Sequence, residues 1–237
     1  NRRVIRGTIP KNQTDFVVKA SVPNPSVLLA SEFRKKLSAS GIVVSEETKY
    51  EKAVGSEKLS IIQSPPLRDI IRVTNHESIN LFAEHFLKHL AFQKSGLGAT
   101  EDGCQFVMQF WKDKGLDITG FFMNDGSGLS RFNAITATQM VSILNYMKTK
   151  SAYSVDFNNS LATVGNGTLT VFKEANFPNE CLRAKSGSMT RVRCYAGYLT
   201  TLSGRQLSFA LMLNNFSCSQ KEATLKIEEL LVELRKM

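Results

Sequence analysis

The spacing of hydrophobic positions changes period along the chain, and each period predicts a different element. Val4-Ile5-Arg6-Gly7-Thr8-Ile9 and Asp15-Phe16-Val17-Val18-Lys19-Ala20 alternate in places, which predicts two short strands around a polar turn at Lys11-Asn12-Gln13. Pro23-Asn24-Pro25-Ser26 stops that pattern and starts a helix with Val27, Leu28, Ala30, Phe33 and Leu37 on one side and Gly41 as its stop. Residues 45–58 are polar and read as a loop. Ser64-Pro65-Pro66 has the form of an N-cap with proline in the first turn, followed by Leu67, Ile70 and Ile71 as a buried face. Thr74-Asn75-His76-Glu77 fits a capping box, and Leu81, Phe82, Phe86 and Leu90 form the apolar stripe of the helix it would open. Two more helical patterns follow, over Glu101 to Lys114 and Thr136 to Lys150, with the turn-rich Asn124-Asp125-Gly126-Ser127-Gly128-Leu129-Ser130 between them.

Beyond residue 181 the period becomes two. Leu182 to Thr190, Arg193 to Thr201 and Gln206 to Asn214, joined by short turns, predict an antiparallel meander. Ser219 then caps a last helix with Leu225, Ile227, Leu230, Leu231 and Leu234 as its apolar face. The expected fold class is therefore α/β of the α+β kind, an antiparallel sheet flanked by helices.

Composition narrows what such a fold does. The 237 residues carry 42% hydrophobic and 22% charged positions, the range of ordinary globular chains, and suffice for one large domain or two small ones. Apolar runs are broken by Ser, Asn or charge well before the ~20 residues needed to span a bilayer, so no membrane span is expected. The net charge of +9 is dispersed, with no Lys/Arg run longer than a pair and no RNP, zinc-finger or homeodomain pattern, which argues against nucleic acid and for a solvated surface able to meet an anionic polymer or a carboxylate. The four cysteines contain no C-x-x-C pair, and His85 and His89 lack the glutamate of an H-E-x-x-H helix, so neither a metal nor an organic cofactor is expected.

Two short motifs carry chemistry when taken together. Ser78-Ile79-Asn80 is an S-x-N triplet at an expected helix start, and Lys185-Ser186-Gly187 is a K-[ST]-G triplet inside a strand. Singly, the first reads as a polar helix start satisfying local backbone donors and the second as a bulge. As a pair, their order matches two of the three signatures S-x-x-K, S-D-N and K-T-G of penicillin-binding proteins and class A β-lactamases. Ile71 to Glu84 around Ser78, the loop Asp125-Gly126-Ser127-Gly128-Leu129-Ser130-Arg131, and Leu182-Arg183-Ala184-Lys185-Ser186-Gly187-Ser188-Met189-Thr190 followed by Ala196-Gly197-Tyr198 resemble the corresponding segments of the D-alanyl-D-alanine carboxypeptidase/endopeptidase family, the class C low-molecular-mass penicillin-binding proteins. The resemblance runs from about residue 20 to the C-terminus.

That resemblance implies a serine β-lactamase/transpeptidase-like fold, hydrolysis of peptidoglycan stem peptides through an acyl-enzyme, inhibition by β-lactams, and a periplasmic or extracytoplasmic location. It implies catalytic roles for Ser78, Asn80 and Lys185, and substrate binding by Ser186, Gly187, Ser188, Asp125 and Ser127. The chemistry suits the residue types. Lys185 can hold a substrate carboxylate with help from the Ser186 hydroxyl. Gly187 leaves room for an extended peptide against the strand. In the family the Ser188 position lends a backbone N–H to the oxyanion hole. Asn80 can bridge the substrate amide and the catalytic lysine, and Ser78 can pass a proton to the leaving D-Ala amine. For Asp125 to Arg131, a turn that caps the next helix and a direct substrate contact are equal readings.

One family feature is missing. No serine is followed three residues later by lysine, and Thr170-Val171-Phe172-Lys173 and Cys218-Ser219-Gln220-Lys221 have that spacing only after Ser78 and with other leading residues. The chain opens on Asn1-Arg2-Arg3 without a signal-peptide pattern, as a processed or truncated chain does. The expectation is thus a C-terminal part of such an enzyme: residues 1–22 as exit strands from an upstream insertion, residues 23–237 as transpeptidase-like domain, inactive alone. A non-catalytic peptidoglycan-binding or scaffold homologue is the alternative, and a β-lactamase is disfavoured by the lack of a deacylating glutamate motif between Asn80 and Lys185.

Overall fold

Asn24 followed by Pro25 starts the first helix, α1 (Pro25–Ala39), the side chain of Asn24 accepting a hydrogen bond from Val27 N at 3.2 Å and the proline fixing the first turn. This helix belongs to the first of two units, Asn1–Ile62, the second being Gln63–Met237. The computed structural model describes residues 4, 6–9, 11, 12, 15–18, 21–44 and 60–237. Among the described residues before α1 no strand forms, although Lys11 and Asn12 make the expected turn. The polar stretch 45–58 lies outside the described residues.

The second unit begins with α2 (Leu67–Glu77), α3 (Asn80–Ser95) and α4 (Thr100–Asp113). Two expectations fail here. Pro66, not Ser64, occupies the N-cap of α2, with no side-chain cap. The capping box at Thr74 does not form either, because α2 runs through it; Thr74 Oγ1 donates back to Ile70 O at 2.7 Å, as a threonine inside a helix does. The buried residues of α3 are Leu87 and Ala91, while Leu81 is exposed, so the predicted stripe is rotated from the true one. Helix α5 (Ala137–Thr149) has the complete capping box, Gln139 N donating to Thr136 Oγ1 at 3.1 Å and Thr136 N to Gln139 Oε1 at 2.9 Å.

After α6 (Ser154–Ser160) come the two-residue strand β1 (Ala162–Thr163) and the meander β2 (Leu182–Met189), β3 (Val192–Thr200) and β4 (Gln206–Asn214), then α7 (Gln220–Arg235). The sheet order is β1-β2-β3-β4, antiparallel throughout, with Lys185 opposite Ala196 and Ser188 opposite Arg193. One side of the sheet, carrying Leu182, Ala184, Tyr195, Leu199 and Phe209, closes a core with Ile227 and Leu231 of α7 and with Leu169, Phe172 and Phe177. Tyr198 lies with Leu144 of α5 and with Leu161, and its hydroxyl donates to Leu144 O at 2.7 Å. Burying a Leu- or Phe-sized side chain contributes about 1.5–3 kcal/mol, so these cores fix the strands that present the motifs.

Candidate active site

The end of α2 is built as a sharp corner. Ser78 terminates the helix in the left-handed region, φ 55° and ψ 51°, its N–H bonded to Thr74 O. A serine there costs about 1–2 kcal/mol of backbone energy. The conformation is held from both sides: Ile79 N also donates to Thr74 O at 3.2 Å, and Ala83 N returns to Ile79 O at 3.3 Å as α3 begins. One turn back, Asn75 Nδ2 donates to Ser160 Oγ at 2.8 Å, which ties the corner to α6 and so to the chain entering β1. Ser160 is 2% exposed, so this tie is shielded from water.

Opposite the corner stands β2. Lys185 Nζ donates to Ser78 Oγ at 2.8 Å and to Ser186 O at 2.6 Å, a contact between residues 107 apart in sequence that joins the two motifs. Burial, with the nearby Arg193 guanidinium adding to it, brings the Lys185 ammonium down to about 8. The group remains mostly cationic at neutral pH yet titrates within reach of it. Ser186 is buried and, by alternation along the strand, shares the face of Ala184 and its cross-strand partner Tyr195. Gly187 and Ser188 are exposed. A Cβ at Gly187 would meet only Cys194 Cβ, at 3.9 Å, so the protein's own packing does not demand glycine there. β1 pairs only with Arg183 and Ala184, and among the described residues the same edge of β2 from Lys185 to Met189 has no strand partner.

Asn80, the first residue of α3, is exposed and its side chain has no hydrogen-bond partner among the described residues. Further along α3, Glu84 Oε1 accepts from Ser127 N at 2.9 Å, so the loop of Asp125 to Arg131 docks on this helix. Gly126 makes the docking close: a Cβ there would sit 2.6 Å from Ala83 O. The Asp125 carboxylate accepts from Gly128 N at 2.7 Å, Ser130 N at 2.5 Å and Asn133 Nδ2 at 2.9 Å. Its oxygens therefore hold the loop's own backbone.

The structure thus brings Ser78 and Lys185 into contact and places Ser186, Gly187 and Ser188 along the same strand. Asp125 and Ser127 sit in a loop anchored to α3. Sequence reading missed Glu84 as that anchor, Ser160 as the brace of the corner, and Arg193 as the second cation near Lys185. Only Arg193 had a legible signal: the meander's short turn sets β3 against β2 and makes Arg193 the cross-strand partner of Ser188. All four cysteines are free thiols.

An antiparallel sheet between helices, with a serine from a helix corner meeting a strand lysine, defines a protein of the penicillin-binding and β-lactamase fold class. The chain belongs to the D-Ala-D-Ala carboxypeptidase 3 (S13) family, whose profile matches residues 1–236. It is 26% identical over 227 residues to a D-alanyl-D-alanine carboxypeptidase of Actinomadura sp., covering 92% of this chain and 42% of that protein. With the D-alanyl-D-alanine carboxypeptidase DacB of Haemophilus influenzae it shares 24% identity over 231 residues, 95% of this chain and 48% of that one. The chain spans about half the length of these curated relatives. Among solved structures, penicillin binding protein 4 (dacB) from Haemophilus influenzae, complexed with a beta-lactam, matches with a TM-score of 0.79 at 23% identity, covering 92% of this chain and 52% of that one. An extended-spectrum beta-lactamase matches with a TM-score of 0.55 at 16% identity, covering 71% of this chain and 63% of that one, a likeness of fold.

Proposed function

We propose that this chain supplies the carboxylate-binding and proton-transfer half of a serine-type D-Ala-D-Ala carboxypeptidase/endopeptidase site. It acts on peptidoglycan stem peptides outside the cytoplasm and is inhibited by β-lactams. The acylating serine and its lysine come from an S-x-x-K segment outside these 237 residues. The observation that carries the reading is the Lys185–Ser78 contact at 2.8 Å. A cation held beside a hydroxyl binds the terminal carboxylate of the peptide and leaves Ser78 to relay a proton to the departing D-Ala amine. The open edge of β2 with Gly187 receives the peptide backbone as an added strand, the exposed Ser188 offers its N–H to the developing oxyanion, and Asn80 points the α3 start at the substrate amide. Ser186, buried on the other face of the strand, and the loop of Asp125 and Ser127, docked on α3, hold this binding side in shape.

The test is covalent labelling by a fluorescent penicillin. A full-length protein carrying S-x-x-K is expected to label, and these 237 residues alone are not. A full-length protein that lacks S-x-x-K and fails to label is instead a non-catalytic peptidoglycan-binding homologue.

A further inference from the structure

Away from Ser78 and Lys185, a cleft of about 540 Å³ opens between the C-terminal turn of α4, the residues that follow it, and α5. Its size is that of a small-molecule site. Two rings wall it, Trp111 and Tyr146, with centroids 5.6 Å apart and planes at 90°. The ammonium of Lys114 stands 5.8 Å from the Tyr146 ring centroid and 5.4 Å from that of Phe110, fixing the aromatic wall by cation–π attraction. The opposite end is fixed as well. Gln139, 5% exposed, donates through Nε2 to Asp117 O at 2.8 Å and Thr119 O at 3.0 Å, so the segment after α4 is pinned to α5.

Beside these stand the Lys150 ammonium and a set of neutral hydrogen-bonding groups. Thr138 and Ser142 are exposed along α5, and their hydroxyls have no partner among the described residues. Asn145 accepts from Ser208 Oγ at 2.6 Å through its Oδ1, which orients the amide and leaves its NH2 as donor. The cleft's one carboxylate, Asp117, accepts from Thr119 N at 2.9 Å. Rigid aromatic surface beside neutral hydroxyl and amide groups is complementary to a sugar ring, which presents apolar C–H faces and a periphery of hydroxyls. The two cations of the cleft, Lys114 and Lys150, are ammonium groups and lack the planar fork that pairs a flat anion.

We propose that this cleft is a saccharide subsite taking a hexopyranose ring, set in the right angle between Trp111 and Tyr146 so that it stacks on one ring with the other at its edge, and hydrogen-bonded by Thr138, Ser142 and Asn145. Its source, the glycan strand that bears the stem peptides, rests on the proposed function; the binding of sugar does not. A hydrolase acting on a tethered peptide gains effective concentration when the polymer carrying that peptide is held at a second point.

Trp111 is the single tryptophan of these 237 residues, and in the full-length protein comparison with a W111F variant isolates its emission as the reporter on the cleft. Titration with an N-acetylglucosamine trimer is expected to give a saturable shift in Trp111 emission with a Kd of about 1 mM. The exposed-site double variant T138A/S142A is expected to weaken it about tenfold without changing the fold, and Y146A to weaken it further. An emission spectrum unchanged by the trimer, or a response unaltered in T138A/S142A and Y146A, overturns the proposal. Penicillin labelling of the full-length protein separates the two readings: labelling without a sugar response sinks the subsite alone, and a sugar response without labelling sinks the hydrolase reading alone.

Discussion

The strand from Lys185 to Ser188 and the loop from Asp125 to Arg131 are both short motifs rich in glycine and serine, yet they treat their polar groups in opposite ways. In the loop the groups are satisfied within the protein: Asp125 accepts three hydrogen bonds from its own neighbourhood, Ser127 N goes to Glu84, and Gly126 packs against α3 with no room for a Cβ. In the strand they are left open. Gly187 has room the protein does not use, and the edge from Lys185 onward has no partner among the described residues. A buried polar group without a partner costs about 1–3 kcal/mol, so native chains leave such groups open at the surface, where a ligand or water completes them. The loop is thereby a scaffold, while the strand leaves its groups open, as the proposed binding role requires.

Five substitutions set that contrast at risk, taken from the largest expected effect to the smallest. In the full-length protein, Ser78→Ala removes the proton relay and is expected to lower penicillin acylation or peptide hydrolysis about 10²–10⁴-fold. Ser78→Gly is expected to be equally inactive but no less stable, since glycine relieves the left-handed backbone; a loss of stability instead would make Ser78 a structural residue. Lys185 comes next. Because carboxylate binding needs its cation, activity is expected to fall as pH rises through about 8. Stability runs the other way. The folded pKa lies below lysine's ordinary value of 10.5, so the unfolded chain binds the proton more tightly between about 8 and 10.5, and stability rises with pH across that window. Lys185→Met is expected to cost activity at least 10²-fold, roughly the loss of a charged hydrogen-bond partner, while the thermal midpoint at pH 7 holds or rises. A midpoint that falls sharply would show the lysine to be scaffold.

The glycines sharpen the contrast from the packing side. Gly126→Ala pushes a methyl into Ala83 O and is expected to lower stability by about 1–3 kcal/mol in denaturant unfolding, with catalysis affected only through the fold. Gly187→Ala adds its Cβ at ordinary contact distance from Cys194 and is expected to change stability by less than about 0.5 kcal/mol, while raising KM for peptide. Equal destabilisation by the two substitutions would erase the distinction between loop and strand.

Legibility in the sequence follows the same division. The meander was readable to within a residue or two because a period of two, with turns of fixed length, leaves few alternative registers. Helix α5 was readable because Thr136 and Gln139 cap it locally. The Ser78 corner was not, because the break depends on Asn75 reaching Ser160 and on Thr74 O serving two donors, contacts that local propensity does not encode. The capping box at Thr74 was the natural local reading, and tertiary packing that continues α2 overrode it. The same holds for α7, where Leu225 and Leu230 of the predicted apolar face are exposed and Thr224 and Glu228 are buried. Glu228 is satisfied by Lys173 N at 2.9 Å and Asn176 Nδ2 at 2.8 Å, partners more than fifty positions away that no helical wheel reveals. The pairing of Ser78 with Lys185 was legible only as two motifs in the right order; their meeting is a product of the sheet and the corner together.

The brevity of β1 has a consequence for self-association. A strand edge left open is a template for any other strand, including one from a second copy of the same protein. Here the exposed segment starts at a desolvated lysine, continues through glycine, and ends at a hairpin turn beside Arg191 and Arg193. Another copy's strand would have to bring its own cations against these, whereas a peptide ending in a free carboxylate meets them with the opposite charge. On the proposed function, the charges that would draw a substrate carboxylate to this edge are also what discourage the protein from aggregating through it.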